Sequence, residues 1–208
     1  MSWRACCSTS SCTAPTPSGA GSPTIADPDL TPGDRAALAA LARQSVEATV
    51  RGGPAPPIPD VPGARLRRGA FVTVAVEGAL RGCLGRVLGD RPLGPVVRAM
   101  AAAAAREDPR FPPLAPEELL QLHVEVSVLG EPVPLAAADV GRLAIGRDGV
   151  LVRQGRASGL LLPQVAPEYG WGPEEFLAAT CRKAGLGPDA WREPGTEVFT
   201  FLADVFGE

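Results

Sequence analysis

Residues 70–85 read AFVTVAVEGALRGCLG, and this stretch decides the fold. Val72, Val74 and Val76 alternate with Phe71 and Thr73, the period of two that gives a strand two different faces. Glu77-Gly78 has the chemistry of a tight hairpin turn, because glycine adopts positive φ without steric cost. The chain then returns through Leu80-Arg81-Gly82-Cys83-Leu84-Gly85. A short-range hairpin implies antiparallel pairing, not the crossover connections of a doubly wound parallel sheet.

The flanking sequence supplies helices and further strands. Leu30-Thr31-Pro32-Gly33-Asp34 offers an N-cap threonine, a proline at the first helical position and an acid in the first turn. Leu38, Leu41, Ala42, Ser45 and Val46 then recur at helical spacing until Gly52-Gly53. A proline-rich connector (Pro54 to Pro62) leads into the hairpin. A second helix is expected from Leu93 to Arg106, ended by Asp108-Pro109, since proline forces its predecessor out of the α region. A short helix near Pro116 to Leu120 precedes a strand from Leu122 to Leu129. There Leu122, Val124, Val126 and Val128 share one face, and His123, Glu125 and Ser127 the other. Ala144 to Val152 reads as a hairpin turned at Arg147-Asp148-Gly149, and Leu160 to Leu162 extends the sheet. Gly172-Pro173 opens a third helix with Phe176, Leu177, Thr180, Cys181 and Ala184 on one stripe, closed by Gly185. Thr196 to Phe206 is a terminal strand. Antiparallel or mixed sheets with flanking helices define an α+β fold.

Composition narrows the chemistry. The 208 residues contain one histidine, His123, too few for a multi-histidine zinc site. HExxH and GxxxxGK[ST] are both absent, which removes the zinc-protease and P-loop classes. No cofactor or metal is implied. No apolar run reaches the roughly 18 residues that span a bilayer. Residues 1–28 are rich in Ser, Thr, Pro and Gly without a hydrophobic core, and read as a disordered tail or an over-extended start. Cys6, Cys7 and Cys12 lie in that tail without CxxC spacing. An odd total of five cysteines and no secretory signal point to free thiols in a reducing cytoplasm. Charge is uneven: residues 61–106 carry a net +6 and residues 107–208 a net −8, within a total of −3. Such a basic block is either an anion-binding face or one neutralised by acids elsewhere in the fold. It lacks the interleaved aromatics of a single-stranded nucleic-acid platform, Phe71 being its only one, which argues against nucleic acid.

Six strings in collinear order carry a family resemblance. They are Leu80-Arg81-Gly82-Cys83-Leu84-Gly85, Asp108-Pro109-Arg110-Phe111-Pro112-Pro113-Leu114, Val124-Glu125-Val126-Ser127-Val128-Leu129, Ile145-Gly146-Arg147-Asp148-Gly149, Gly159-Leu160-Leu161-Leu162-Pro163-Gln164-Val165, and Trp171 followed by Phe176-Leu177 and Cys181-Arg182-Lys183-Ala184-Gly185-Leu186. Together they resemble the AMMECR-type domain. They are also similar to the protein A component of AmmeMemoRadiSam systems, where the domain accompanies a Memo-like protein and a radical S-adenosylmethionine protein. The resemblance covers about 30–208, so the expected division is a tail over 1–28 and a two-lobed AMMECR-type domain over 29–208. It implies an α+β fold whose two lobes form a cleft lined by the Arg-Gly-Cys-Leu-Gly string; it implies no settled reaction.

The candidate chemistry centres on Cys83. It reads either as a nucleophile or redox thiol activated by Arg81 or Arg86, or as a small buried hydrophobe. Gly82 and Gly85 permit positive φ or close approach of a ligand or backbone, and amides of a Gly82–Gly85 turn would hold an anion. Glu125 is the expected polar partner in the cleft, or else an ordinary solvent-facing glutamate. His123 is a weaker candidate base, since the resemblance includes the Glu and Ser of its strand but not the His. Asp108, Arg110 and Phe111, between stiffening prolines, form either a binding wall or a self-paired chain reversal. Cys181 sits on an apolar stripe and reads as core. Gln164, Tyr169 and Trp171 either line the cleft or belong to the interior. The resulting expectation is an accessory binding module that holds a small anionic ligand, a peptide or a partner's tail. Catalytic Cys83 assisted by Glu125 is the alternative.

Overall fold

The computed structural model describes residues 3–4 and 30–207. The expected disordered tail, apart from the two-residue strand β1 (Trp3–Arg4), lies outside the described residues. Helix α1 (Pro32–Arg51) starts where the capping signal places it. The Asp34 amide donates to Thr31 Oγ1 at 3.1 Å and the Thr31 amide donates to Asp34 Oδ2 at 3.0 Å. The second Asp34 oxygen accepts from the Gly63 amide at 2.8 Å, in α2 (Pro62–Arg65), a short helix that the proline-rich sequence concealed. The Thr31 hydroxyl also donates to Asp34 Oδ2 at 2.6 Å, and this bond contributes most to holding the Asp34 carboxyl below its usual pKa, followed by that from Gly63.

Strands β2 (Ala70–Val76) and β3 (Ala79–Arg86) form the expected hairpin, with positive φ at both Glu77 and Gly78. Helix α3 (Leu93–Arg106) follows with the bounds read from the sequence. A 3-10 turn over Pro116–Gln121 leads into β4 (Leu122–Leu129). β2 lies between β3 and β4, antiparallel to both. Beyond these come β5 (Val133–Pro134), β6 (Asp148–Gln154), β7 (Ala157–Leu161), α4 (Val165–Tyr169), α5 (Pro173–Lys183) and β8 (Thr196–Gly207). The architecture is α+β with antiparallel pairing, as expected.

The chain divides into two compact units: among the described residues, 3–4, 30–128 and 204–207 form the first, and 129–203 the second. In the first, the apolar faces of β2, β3 and β4 (Val72, Val74, Leu84, Val124, Val126 and Val128) pack with α1 and α3 in one core. The Arg35 guanidinium donates to the buried Asp204 carboxylate at 2.7 Å, tying α1 to the end of β8. In the second, β6 pairs with both β7 and β8, β5 adds to β8, and α5 packs on β6 and β7. A Cβ on Gly159 would meet the Thr180 carbonyl oxygen at 2.6 Å, so a glycine is what lets α5 lie close on β7.

One expected hairpin is corrected here. Residues 144–147 form a turn in which the Asp148 carboxylate accepts from the Ala144 amide at 2.9 Å and from Arg147 at 2.8 Å. β6 therefore begins at Asp148, and the hairpin reverses at Gly155-Arg156 into β7. The side chain of Asp148 outweighs the turn propensity of its own backbone.

The decisive local feature is a one-residue bulge in β3. Val74 pairs with Gly82 but Ala75 pairs with Leu80, leaving Arg81 as the extra residue. A slip of one residue turns every following side chain to the opposite face. It puts Gly82 under α3, where a Cβ would lie 2.1 Å from the Ala104 carbonyl oxygen. Gly82→Ala should therefore lose about 3 kcal/mol or more, the upper end of overpacking costs, in a urea melt. Near wild-type stability would show that α3 moves freely on β3.

Candidate functional site

The bulge sends Cys83 to the face opposite the helices. Thr73 pairs with Cys83 on one side and with Glu125 on the other, so three polar side chains stand abreast on β3, β2 and β4. Phe71 and Ser127 occupy the next positions on that face, and Ala75 and His123 the positions before. Cys83 is thus in mid-strand with 4% exposure. Its Sγ accepts a hydrogen bond from Thr73 Oγ1 at 3.3 Å. Its amide points away from β2 and donates to Asp108 Oδ2 at 2.9 Å. Such a pair brings opposed side chains closest together, which accounts for the sulfur–hydroxyl contact.

The expected Gly82–Gly85 turn is corrected to strand, and neither glycine has positive φ. The space beside Gly85 is filled by the Phe71 ring, 2.1 Å from where a Cβ would stand. The anion at this backbone is the protein's own Asp108.

Asp108 is 4% exposed and closes a compact clasp. The Arg110 guanidinium donates to both its oxygens, at 2.9 Å and 2.6 Å, and the Arg110 amide to one at 3.2 Å. A further Arg110 N–H reaches the Cys83 carbonyl oxygen at 3.4 Å. Burial acts to raise the Asp108 pKa, but the bonds from Arg110 and the Cys83 amide outweigh it and hold the carboxyl below its ordinary value.

Arg81, aimed outward by the bulge, is bidentate to Glu118 at 2.6 Å and 3.0 Å. The pair raises the Arg81 pKa and lowers that of Glu118, which also accepts from the Ala115 amide. Both guanidiniums lie against the Phe111 ring, 5.9 Å and 5.3 Å from its centroid. Arg86 is held by Asp90 at 2.6 Å, and Arg65 by Asp60. Arg65, Arg81 and Arg86 of the basic block are thus paired with acids close at hand.

Glu125 is different. It is half-buried, and its carboxyl has neither a hydrogen bond nor an ion pair among the described residues. Burial pushes its pKa up, opposed only by the charge of the exposed His123 two residues earlier.

The structure brings Arg81, Cys83, Asp108, Arg110, Phe111 and Glu125 together within the first unit. Gln164, Tyr169 and Trp171 belong to the second, where Tyr169 and Trp171 stack with ring centroids 4.6 Å apart. Cys181 is fully buried on α5. The second unit also holds a cavity of about 550 Å³ lined by Ala137, Val140, Pro173, Trp191 and Arg192. The roles of Thr73 and Glu118 in the site have no signal in the sequence. The period of β2 put Thr73 on the correct face, but its partner depends on the bulge. No helix among the described residues is long and apolar enough to cross a membrane.

An antiparallel α+β domain with a clasped Arg-Gly-Cys-Leu-Gly strand is the class this geometry defines. The AMMECR1 family model matches residues 39–206, and the chain belongs to that family. It is 48% identical over 181 residues to a Thermococcus gammatolerans protein, covering 82% of this chain and 88% of the relative. A Methanothermobacter thermautotrophicus protein is 48% identical over 177 residues, covering 82% and 92%. The crystal structure of uncharacterized protein PH0010 from Pyrococcus horikoshii is similar with a TM-score of 0.75 at 41% identity, covering 81% of this chain and 88% of that one.

Two pH signatures follow. Asp108→Asn should lose about 3 kcal/mol at neutral pH, the cost of breaking a buried pair. With the folded pKa depressed, wild type holds this advantage above the ordinary aspartate pKa and loses it as pH falls through the folded value. Glu125→Gln should act oppositely. Its folded pKa is raised, so the substitution should raise Tm at neutral pH and lose that gain as pH drops below the ordinary glutamate range of about 4.3. Melting curves at pH 3 to 8 check both signs.

Proposed function

We propose that this chain is an accessory binding module that holds a ligand or a partner's tail on the face carrying Thr73, Cys83 and Glu125, beside the Asp108–Arg110 clasp. The observation that carries the reading is the state of Cys83. It is buried, its sulfur accepts from a neutral hydroxyl, and its amide is already engaged by Asp108. Arg81 and Arg86, the cations that would activate a thiolate, are held by Glu118 and Asp90. Glu125, the assisting group of a thiol enzyme, stands two strand spacings from Cys83, about 10 Å along the sheet. Reactive cysteines need an electropositive and accessible setting, which these contacts do not provide.

Of the two ligand classes, a small anion and a peptide, the self-paired guanidiniums favour the peptide. A Memo-like protein and a radical S-adenosylmethionine protein are the partners the family resemblance implies, and the cytosol is the compartment implied by the cysteine usage.

The test is alkylation of Cys83 by iodoacetamide from pH 6 to 10, in a chain whose Cys6, Cys7, Cys12 and Cys181 are replaced by alanine. Labelling should stay slow until denaturant is added. Fast labelling with an apparent pKa well below the free-thiol value of about 8.5 would overturn the reading in favour of a cysteine enzyme.

A further inference from the structure

The row Cys83–Thr73–Glu125 has an imbalance of donors and acceptors. A threonine hydroxyl has one proton, and that of Thr73 is given to Cys83 Sγ. With the proton so placed, lone pairs of Thr73 Oγ1 are left for a donor on the Glu125 side. The Glu125 carboxylate, directly opposite on β4, is acceptor-only when ionised and has no donor among the described residues. The neighbouring carboxylates are satisfied by contrast, Asp108 by Arg110 and the Cys83 amide, Glu118 by Arg81 and the Ala115 amide. Directly opposed side chains stand about 5 Å apart at Cβ, so one small group above the sheet can meet both. The missing group has more than one N–H and a positive charge.

We infer that the Thr73–Glu125 pair is the seat of a primary ammonium group, brought by a lysine side chain or by the N-terminus of a peptide. The inference rests on the binding-module reading and gives its ligand a chemical class. An anion at this seat would meet the Glu125 carboxylate, a repulsion that a cation turns into attraction. A guanidinium is the poorer fit, because its planar fork matches one carboxylate edge-on and leaves the hydroxyl unserved.

The probes are Nα-acetyl-lysinamide, its Nε-acetylated counterpart, alanyl-alaninamide and sodium acetate, titrated into the full-length ¹⁵N-labelled chain. Nα-acetyl-lysinamide or alanyl-alaninamide should shift the Thr73, Cys83 and Glu125 amides, and which of the two binds more tightly identifies a side-chain or a terminal ammonium. Acetylation of Nε should abolish the shifts. Glu125→Gln should weaken amine binding about tenfold or more, the loss of a hydrogen bond to a charged group. Thr73→Val should weaken it less, and unchanged shifts elsewhere in each variant's spectrum establish that it is folded. Equal amine affinity in wild type and Glu125→Gln overturns the inference. Shifts with acetate at these amides and none with either amine overturn the ammonium class but leave a binding module. No shift with any probe, together with fast Cys83 alkylation, overturns both.

Discussion

The arrangement around Cys83 depends on one extra residue in one strand. With an unbroken register, the Val76–Ala79 pairing at the turn would set Thr73 opposite Gly82 and Val72 opposite Cys83. The thiol would then point into the helical core, and glycine would face outward. The bulge at Arg81 exchanges these roles. Gly82 comes to lie beneath the Ala104 carbonyl, where no other residue fits, and α3 in turn fixes the bulge. A bulge also re-aims its own side chain, which places Arg81 over Phe111 and against Glu118. Packing on one face of the sheet thus determines the chemistry on the other.

The two glycines of the Arg-Gly-Cys-Leu-Gly string act through lack of bulk, not through freedom of φ. Gly82 accommodates a helix and Gly85 an aromatic ring, on opposite faces of the same strand. Between them Cys83 is held at its amide, its carbonyl and its sulfur. The charged residues nearby close on one another: Asp108 with Arg110, Glu118 with Arg81. What the face presents is a rigid frame in which the Glu125 carboxylate has no hydrogen-bond partner among the described residues.

How much of this the sequence disclosed follows from the range of the determinants. The cap at Thr31, the turn at Glu77-Gly78 and the boundary before Pro109 are set by neighbours a few residues apart, and all three were legible. The faces of β2 and β4 followed from their alternation. The bulge was not legible, because it arises from the meeting of Gly82 with Ala104, twenty-two positions away. The start of β6 differs from the expected hairpin because the Asp148 side chain captures the Ala144 amide, a choice that propensity does not contain. Within the candidate site, Cys83, Arg81, Asp108, Arg110 and Glu125 could be named from the resemblance. Their pairing, and with it the contrast between clasped and unclasped carboxylates, required coordinates.

The Asp108 clasp has a consequence for the outer margin of β3. The amide of Cys83 points to the side away from β2, the side on which β1 pairs with Leu84 and Gly85. An anionic side chain seated on that amide, with a guanidinium over the adjoining carbonyl, takes the place of a strand at the position next to this two-residue pairing. A backbone rung is thus replaced by a carboxylate–guanidinium pair, so the contacts that immobilise the cysteine also cap the ladder beside it.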